Sequence, residues 1–417
     1  MARVVALLTA LWLLCAAAQA DSAEGTVHLP GAFAEVGWAG KISVPSWVEF
    51  RLVATGANSY KAMLETSEGK VLEGLTPIRA TLELPEGAGV RATRVLVPLT
   101  STRTIKITLS SASSSASGRF EPSPERLELD GTRLPPDPSL YLAGQQIFGQ
   151  LEPENALPAL AGGAVLEQAP PGLVKGKWGL GAVATPHTAL RLLEVLPKYA
   201  PPVLVPERRH TLLGFWSVGV FVVLLGLYSL KRHDWRYTVG LAFCSAILAA
   251  LGVWANQPNA PFNEKRQTVL IGANGWGTRW EILTRFSLRS DWKLPPSAML
   301  LGSNRLIERD YTTTYSLLKL AGWQKISYVL PPKASRVPVR LEKGKLYNES
   351  GSPLEKIFVR GYGRQEPLAS QASRQIQAKV YETLPWDEYL DLLQVLPTGT
   401  VLAQQNGNLL VALESQP

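Results

Sequence analysis

Two apolar runs, Leu212–Leu230 and Tyr237–Ala255, dominate the hydrophobic pattern of this 417-residue chain. Each run has 19 residues, and neither contains Asp, Glu, Lys, Arg or Pro. At about 1.5 Å per helical residue, a run of this length matches the thickness of a bilayer's hydrocarbon core. The pattern therefore predicts two transmembrane helices, residues 210–230 and 237–255, which form a hairpin around a loop at residues 231–236.

Apolar and polar positions alternate in several stretches before the runs, and such alternation predicts β-strands that bury one face. Turn-forming residues separate these stretches at short intervals, which favours an all-β sandwich over residues 21–133. The segment Ser110–Gly118 is rich in serine and predicts a long exposed loop. The alternating stretches are Trp47–Val53, Val71–Leu84, Val90–Leu99 and Thr104–Leu109.

The same alternation returns after the runs and predicts a second β-rich domain over residues 256–417. Two Asn-Gly pairs in this domain, at residues 274–275 and 406–407, are typical of tight two-residue hairpin turns. The stretch Trp386–Leu396 follows Pro385 and has leucines at helical spacing, which predicts a short helix.

Residues 134–209 contain many prolines and only short apolar pieces between them. This composition predicts a small α/β or irregular subdomain before the first apolar run. The predicted fold class is therefore mainly β, with two exported β-sandwich-like domains flanking a two-helix transmembrane hairpin.

The first 20 residues resemble a signal peptide. Arg3 gives a short basic start, Val4–Leu14 is apolar but too short to span comfortably, and Ala18-Gln19-Ala20 is a small-residue cleavage site. The alternative is a third, uncleaved membrane anchor. With a signal peptide at residues 1–20, both large domains are predicted to be extracytoplasmic and the loop at residues 231–236 to be cytoplasmic.

The charges of the loop agree with this orientation. Lys231, Arg232 and Arg236 lie within six residues, as the preference of basic loops for the cytoplasm predicts. The only cysteines are Cys15 and Cys244, so neither large domain can contain a disulfide. Exported eukaryotic domains of this size usually contain disulfides. The predicted location is therefore a bacterial inner or plasma membrane, crossed more than once.

The basic residues are unevenly distributed. The chain has a net charge of +8, of which residues 256–417 contribute +6, whereas residues 21–209 have a net charge of −1. This excess lies in an exported domain, so it favours lipid headgroups or anionic envelope polymers as partners and argues against nucleic acid. Arg279, Arg285 and Arg289 would share one polar strand face with Glu281 and Ser287. An ordinary solvated basic surface with no partner is nevertheless the favoured interpretation of this charge.

No metal site is predicted from the four histidines, because none has a second His or Cys at metal-ligand spacing. Two acidic clusters are interpreted as solvated faces or helix-start charges. The sequence thus predicts no catalytic, cofactor-binding or metal-binding residue and no cofactor. The histidines are His28, His187, His210 and His233, and the acidic clusters are Glu121–Glu128 with Asp130, and Asp387, Glu388 and Asp391.

The glycine-rich stretch Gly272–Gly277 could suggest a phosphate-binding loop. It lacks the Lys that such a loop requires, and a strand pattern rather than a helix pattern follows it, so a turn is favoured. The sequence leaves the question of a Ser–His–Asp triad open, because the three residues of a triad come together in space and not along the chain. No G-x-S-x-G motif supports one.

The strand at Trp47 after Pro45, the hairpin with its basic loop and the stretch Gly344–Leu354 together resemble a group of uncharacterised bacterial envelope membrane proteins. The resemblance implies an exported β-sandwich, membrane helices and a later β domain with a similar turn. Larger members insert an amidotransferase-like α/β domain before the first span. Residues 134–209 are too short and too rich in proline for that domain, and they lack a Cys nucleophile. The group has no established activity.

The function favoured by these patterns is that of a membrane-anchored cell-envelope protein without enzymatic activity. It would bind or scaffold a protein partner, another envelope or membrane protein, or an anionic lipid or polymer. The alternative is an envelope hydrolase or transferase that acts on glycan or peptide.

Overall fold

The structure is a computed structural model of the whole chain. It describes residues 25–38, 42, 46–71, 74–99, 104–122, 128–130, 134–141, 146–148, 153–162, 164–166, 195–199, 226–228, 264–273, 275–287, 291–301, 306–320, 324–376, 385–396 and 399–413. We call residues 21–209 the first segment and residues 256–417 the second segment.

The chain divides into two compact units. The larger unit comprises Met1–Pro201, Arg266–Leu283 and Leu288–Pro417, and so contains most of both segments. The smaller unit comprises Pro202–Lys265 and Thr284–Ser287, and few of its residues are among those described.

The first segment is mainly β, because its apolar residues alternate with polar ones as predicted. Its strands are β1 (Thr26–Leu29), β2 (Ala32–Val36), β3 (Ser46–Ala54), β4 (Tyr60–Val71), β5 (Gly74–Leu84), β6 (Arg91–Leu99), β7 (Ile105–Ser111), β8 (Ser115–Phe120), β9 (Glu128–Asp130), β10 (Gln146–Phe148) and β11 (Val165–Leu166). Its helices are the 3₁₀ helix η1 (Pro138–Tyr141), α1 (Pro153–Gly162) and the 3₁₀ helix η2 (Leu196–Tyr199).

The second segment is also mainly β in its described part. Its strands are β12 (Lys265–Ala273), β13 (Trp276–Ser287), β14 (Asp291–Leu294), β15 (Met299–Leu301), β16 (Leu306–Tyr311), β17 (Ser316–Leu320), β18 (Gln324–Val329), β19 (Lys333–Arg336), β20 (Val339–Glu342), β21 (Lys345–Asn348), β22 (Glu355–Val359), β23 (Gly363–Arg364), β24 (Ser373–Gln375), β25 (Val401–Gln405) and β26 (Asn408–Leu413). Its helices are the 3₁₀ helix η3 (Asp387–Tyr389) and α2 (Leu390–Val395).

Two sheets form a sandwich around one hydrophobic core. One sheet has the order β1-β2-β3-β6, and the other has the order β14-β17-β16-β5-β4-β7-β8. Phe50 and Leu52 from the first sheet pack with Leu64 and Ile78 from the second, and all four are fully buried. Tyr311 of β16 joins the same core, so the second segment contributes to the sandwich.

The predicted loop at Ser110–Gly118 is wrong. β7 continues to Ser111 and β8 begins at Ser115, and the two strands pair in register from Ser110–Ser115 to Ile105–Phe120. The hydroxyls of Ser111 and Ser114 hydrogen-bond to each other at 2.9 Å within the turn. Small polar side chains are tolerated in an exposed strand that pairs with a more buried neighbour, as β8 pairs with β7. The high serine content therefore did not indicate a loop.

The described parts of residues 128–166 form a small element of short strands and helices, whereas most of the predicted subdomain at residues 134–209 lies outside the described residues. β10 lies between β9 and β11 in a parallel three-stranded sheet. Ala156, Ala159 and Leu160 of α1 pack against Leu140 and Tyr141 of η1. This small core lies against the outer side of β3, where the buried charges described below are located.

The main sheet of the second segment has the order β15-β18-β13-β12-β26-β25-β22-β23, with β19 also paired to β13. β20, β21 and β24 form a smaller sheet. The predicted turn at residues 406–407 is confirmed: β25 and β26 pair around Asn406 and Gly407, which have φ values of 50° and 77°. The predicted helix at Trp386–Leu396 corresponds to η3 followed by α2.

No helix among the described residues is long and apolar enough to cross a membrane. The two apolar runs at residues 212–230 and 237–255 lie outside the described residues, apart from a short helical stretch at residues 226–228. The predicted signal peptide at residues 1–20 and the loop at residues 231–236 also lie outside them.

Candidate functional site

Strands from the two segments meet in one sheet. β5 precedes the apolar runs and β16 follows them, and they pair in parallel with Arg309 opposite Ile78 and Tyr311 opposite Ala80. β16 pairs in turn with β17, and β17 with β14. We call the paired part of β5 and β16 the sheet joint. It continues a sheet of the first segment with three strands of the second.

A row of charged side chains crosses the sheet joint on the face opposite the sandwich core. Lys106 Nζ lies 3.9 Å from Glu65 Oε2, and Arg79 Nε lies 3.5 Å from Glu65 Oε1. Arg79 Nη1 also lies 2.6 Å from Glu308 Oε1, and Lys319 Nζ lies 2.8 Å from Glu308 Oε2. We call these five residues the charge row. Their signs alternate from strand to strand, so each neighbouring pair is attractive.

The charge row lowers the pKa of one carboxyl group, and a neighbouring carboxyl responds in the opposite way. The hydrogen bond from Lys319 is the largest cause that lowers the pKa of Glu308. Burial raises the pKa of Asp310, and the charge of Glu308 raises it further. Asp310 Oδ1 is buried and accepts no hydrogen bond from the described residues. Glu308 therefore stabilises the joint when it is ionised, whereas ionised Asp310 is held less favourably.

Trp47 makes a second connection between the segments. Its neighbours Val48 and Phe50 lie in the sandwich core, but the Trp47 side chain packs in a core formed mainly by the second segment. Its indole Nε1–H donates a hydrogen bond of 2.7 Å to the carbonyl of Ser297. The ring centre lies 6.3 Å from that of Trp280, in a tilted arrangement. We call this contact the tryptophan anchor.

Glu49, two positions after Trp47 on the same face of β3, has a buried carboxylate. Glu49 is 5% exposed, and its Oε1 lies 3.4 Å from Arg94 Nη1 on the neighbouring strand β6. The same Arg94 atom lies 3.1 Å from Asp137 Oδ2. We call these three residues the Glu49 cluster. Burial raises the pKa of Glu49 more than Arg94 lowers it.

η1 lies against β3 beside the Glu49 cluster. Ser139 and Tyr141 are completely buried, and the Tyr141 hydroxyl donates a hydrogen bond of 2.9 Å to the carbonyl of Pro135. Burial raises the pKa of Tyr141, with smaller contributions from the charges of Asp137 and Glu49. Neither Ser139 Oγ nor Glu49 Oε2 has a hydrogen-bond partner among the described atoms.

Glu281, which the strand pattern placed on the predicted basic face, forms ion pairs with arginines. Arg279 Nη2 lies 3.0 Å from Glu281 Oε1, and Arg266 Nη1 lies 3.5 Å from Glu281 Oε2. Arg285 is on β13, and residue 289 lies outside the described residues. Glu281 therefore pairs with two arginines, and these pairs offset part of the positive charge of this face.

Of the four histidines, only His28 is among the described residues. It is exposed on β1, with its ring centre 5.8 Å from that of Phe33. The described residues contain no group of three or more His, Cys, Asp or Glu that could hold a metal ion. Asp387 is exposed at the start of η3, and Asp391 Oδ1 lies 2.7 Å from Lys198 Nζ. Of the other acidic cluster, Glu121 is exposed and residues 123–127 lie outside the description.

The glycine-rich stretch Gly272–Gly277 connects two strands. β13 begins at Trp276, where a phosphate loop would need a helix. Gly275 has a φ of 78°, and a Cβ atom on Gly272 or Gly277 would collide with backbone of the facing strand. The glycines therefore permit close approach of two strands in this stretch.

The stretch Gly344–Leu354, on which the family resemblance partly rests, forms a hydrogen-bonded turn. Asn348 is 2% exposed, and its Nδ2 donates to the carbonyls of Ser352 and Ala369 at 2.9 and 2.8 Å. Its Oδ1 accepts from the Ser350 hydroxyl at 2.6 Å. Gln405 on β25 donates to the same Ser350 oxygen. This motif therefore has a structural explanation, in which the Asn348 side chain closes the turn.

Sequence reasoning did not identify the sheet joint, the charge row or the Glu49 cluster. Arg79 and Glu308 are 229 residues apart, so no local pattern connects them. Glu49 occupies a polar position of the alternating strand around Trp47, where the pattern predicts exposure, so nothing in the sequence indicated that it is buried. Comparison of the chain with models of known protein families and with curated proteins finds no match.

Proposed function

We propose that this chain is a bacterial cell-envelope protein, anchored in the inner or plasma membrane by a hairpin of residues 210–230 and 237–255. The sandwich-like first segment and the β-rich second segment flank this hairpin on the extracytoplasmic side. Together they bind or scaffold another envelope or membrane protein, or an anionic envelope component, without catalysing a reaction.

The sheet joint is the observation that carries this proposal. An open β-sheet cannot extend through a bilayer, because its unpaired edges would lie in the hydrocarbon region. β5 and β16 pair directly, which supports placing the two segments on the same side of the membrane. In that arrangement the chain between them crosses an even number of times, as the two apolar runs would.

One cleft in the described part of the chain is too small for a small-molecule ligand. A cleft lined by Leu346, Gln365, Leu368, Arg374 and Ile376 has a volume of about 10 Å³, which is room for one water molecule. Small-molecule sites are typically tens of times larger. This cleft therefore does not favour a small-molecule ligand, and we propose a protein or polymer as the partner.

Topology can be tested with single cysteines in a background that carries Cys15→Ala and Cys244→Ser. Ser113→Cys in the first segment and Thr313→Cys in the second are at exposed turns. Both should react with an impermeant thiol reagent in spheroplasts, whereas Asp234→Cys should react only after the membrane is opened. Labelling of Asp234→Cys in intact spheroplasts would contradict the proposed orientation, and so would protection of only one of the two exposed positions.

The class of partner can be tested by photo-crosslinking from Ser113 and Thr313 in native membranes. A discrete crosslinked protein band would support protein binding. Salt-sensitive binding of the purified chain to anionic but not neutral vesicles would instead support an anionic component. If a folded and correctly oriented chain gives neither of these results, the proposed binding role is contradicted.

A further inference from the structure

The Glu49 cluster places a carboxylate at a contact between two elements of the fold. The strand β3 buries Phe50 in the sandwich core, and its opposite face carries Glu49 beneath η1. Glu49 Oε2 is buried with no hydrogen-bond partner among the described atoms. A carboxylate in this position is not held by a full set of donors, so its charge is poorly compensated.

The charges of the cluster do not balance. Glu49 and Asp137 share one guanidinium, that of Arg94, through the same nitrogen atom. Arg51 also lies on the outer face of β3, but its guanidinium is 2.5 Å from Glu35 Oε2. With both acids ionised, the cluster therefore has one excess negative charge. A proton on Glu49 would remove it and leave Arg94 paired with Asp137.

Titratable and charged groups lie around Glu49 on every described element packed against it. Arg94 comes from β6, Arg51 from β3 and Glu35 from β2, and Asp137 and Tyr141 come from the stretch that forms η1. β19 also contacts η1, and it carries Lys333 and Arg336. The Arg336 guanidinium lies 5.3 Å from the ring centre of Trp276.

We propose that the contact between η1 and β3 is a pH-responsive latch, in which uptake of a proton by Glu49 tightens the packing of η1 on the sheet. This inference is independent of the proposed membrane topology. Burial raises the pKa of Glu49 in the folded state above its usual value. The contact between η1 and β3 is therefore tight when the pH is below the usual pKa of a glutamate side chain. It loosens as the pH rises through the higher pKa that Glu49 has in the folded state.

The latch can be followed by hydrogen exchange in the full-length protein in detergent, between pH 4 and pH 8. The Leu140 amide donates to the carbonyl of Asp137 and reports on η1, and the Ala164 amide donates to Ala159 and reports on the end of α1. After correction for the intrinsic exchange rate, their protection should fall with rising pH, by up to about tenfold per pH unit.

Two variants separate the latch from general stability. Glu49→Gln mimics the protonated state, so protection at η1 should stay high and independent of pH. Glu308→Gln, in the charge row, is the matched control and should keep the pH dependence of η1. Protection that is flat in the unmodified chain, or a slope that persists in Glu49→Gln, would overturn the proposal.

Asp137→Asn provides a test that does not depend on the folding of Glu49→Gln. The charge of Asp137 raises the pKa of Glu49, and Asp137 also competes for Arg94. Its removal should shift the midpoint of the η1 transition to lower pH. An unchanged midpoint would overturn the proposal, because a merely structural Asp137 would change protection without moving its pH dependence.

Discussion

The side chain of Trp47 belongs to a different core from Val48 and Phe50, which follow it on β3. β3 is buried on both faces here: Val48 and Phe50 point into the sandwich, and Trp47 packs with Trp280 of the second segment. The alternation of the sequence predicted the strand correctly. It could not predict what covers the outer face, because an aromatic residue at an outward position can be exposed or buried.

Replacement of Trp47 by Phe should destabilise the folded chain by about 1–3 kcal/mol, because the buried carbonyl of Ser297 loses its donor. The measurement is urea unfolding of the purified protein in detergent. Trp386→Phe is the control. Its ring is only half-buried and stacks on Arg364 at 4.6 Å, so its cost should be below about 1 kcal/mol. Equal losses in the two variants would remove the special role assigned to Trp47.

Glu308→Gln should reduce stability at pH 7 by about 0.5–1 kcal/mol, which is typical of partly exposed ion pairs. The lowered pKa of Glu308 means that its contribution is present above its usual value of 4.5 and is lost as the pH falls. The difference in urea midpoint between variant and unmodified chain should therefore shrink from pH 7 to pH 4. Glu83→Gln, which breaks an exposed pair with Lys61, should have a smaller effect. A difference that grows on acidification would contradict this assignment.

At the scale of elements, hairpins were the most predictable features. Asn406-Gly407 lies between two short, largely apolar stretches, and the structure has a two-residue turn there with both residues at positive φ. Such a turn is specified by local chemistry, since only Gly and Asn enter this region at low cost. The serine-rich β7–β8 hairpin was missed because its strands carry few of the residues by which strands are recognised.

Gly407→Ala should cost about 1 kcal/mol in stability. Gly407 has a φ of 77° but open space around it, so the cost comes from backbone conformation alone. Gly351→Ala is the matched control, because Gly351 also has open space and is not among the residues at positive φ. It should be neutral or slightly stabilising. Thermal unfolding of the two variants, side by side, tests the turn geometry, and equal melting temperatures would argue against it.

At the scale of the whole molecule, the sequence indicated β structure on both sides of the apolar runs but not the pairing between them. The sheet joint connects residues 229 positions apart, and the tryptophan anchor connects residues 250 positions apart. Periodicity reports only which face of a strand is buried. It does not report which strand lies next to it, so the joint, the charge row and the Glu49 cluster needed the three-dimensional structure.

A protease site inserted between residues 256 and 263 should allow the chain to be cut without separating its parts. The first piece would contain both apolar runs, and the second piece would be held by the sheet joint and the tryptophan anchor. After cleavage in native membranes, residues 264–417 should sediment with the membranes and be released by urea. Release without denaturant would contradict the joint. A combination of Trp47→Ala and Arg79→Ala should make release easier.

The parallel pairing of β5 and β16 also has a consequence during synthesis. Ribosomes add about 5–20 residues per second, so β16 emerges roughly 10–50 s after β5. During this interval the edge of β5 has no neighbour on that side, and an open edge is a site for mispairing and aggregation. A nascent chain of this protein therefore needs protection for longer than its first sandwich takes to form. Premature termination before residue 306 would leave that edge permanently open.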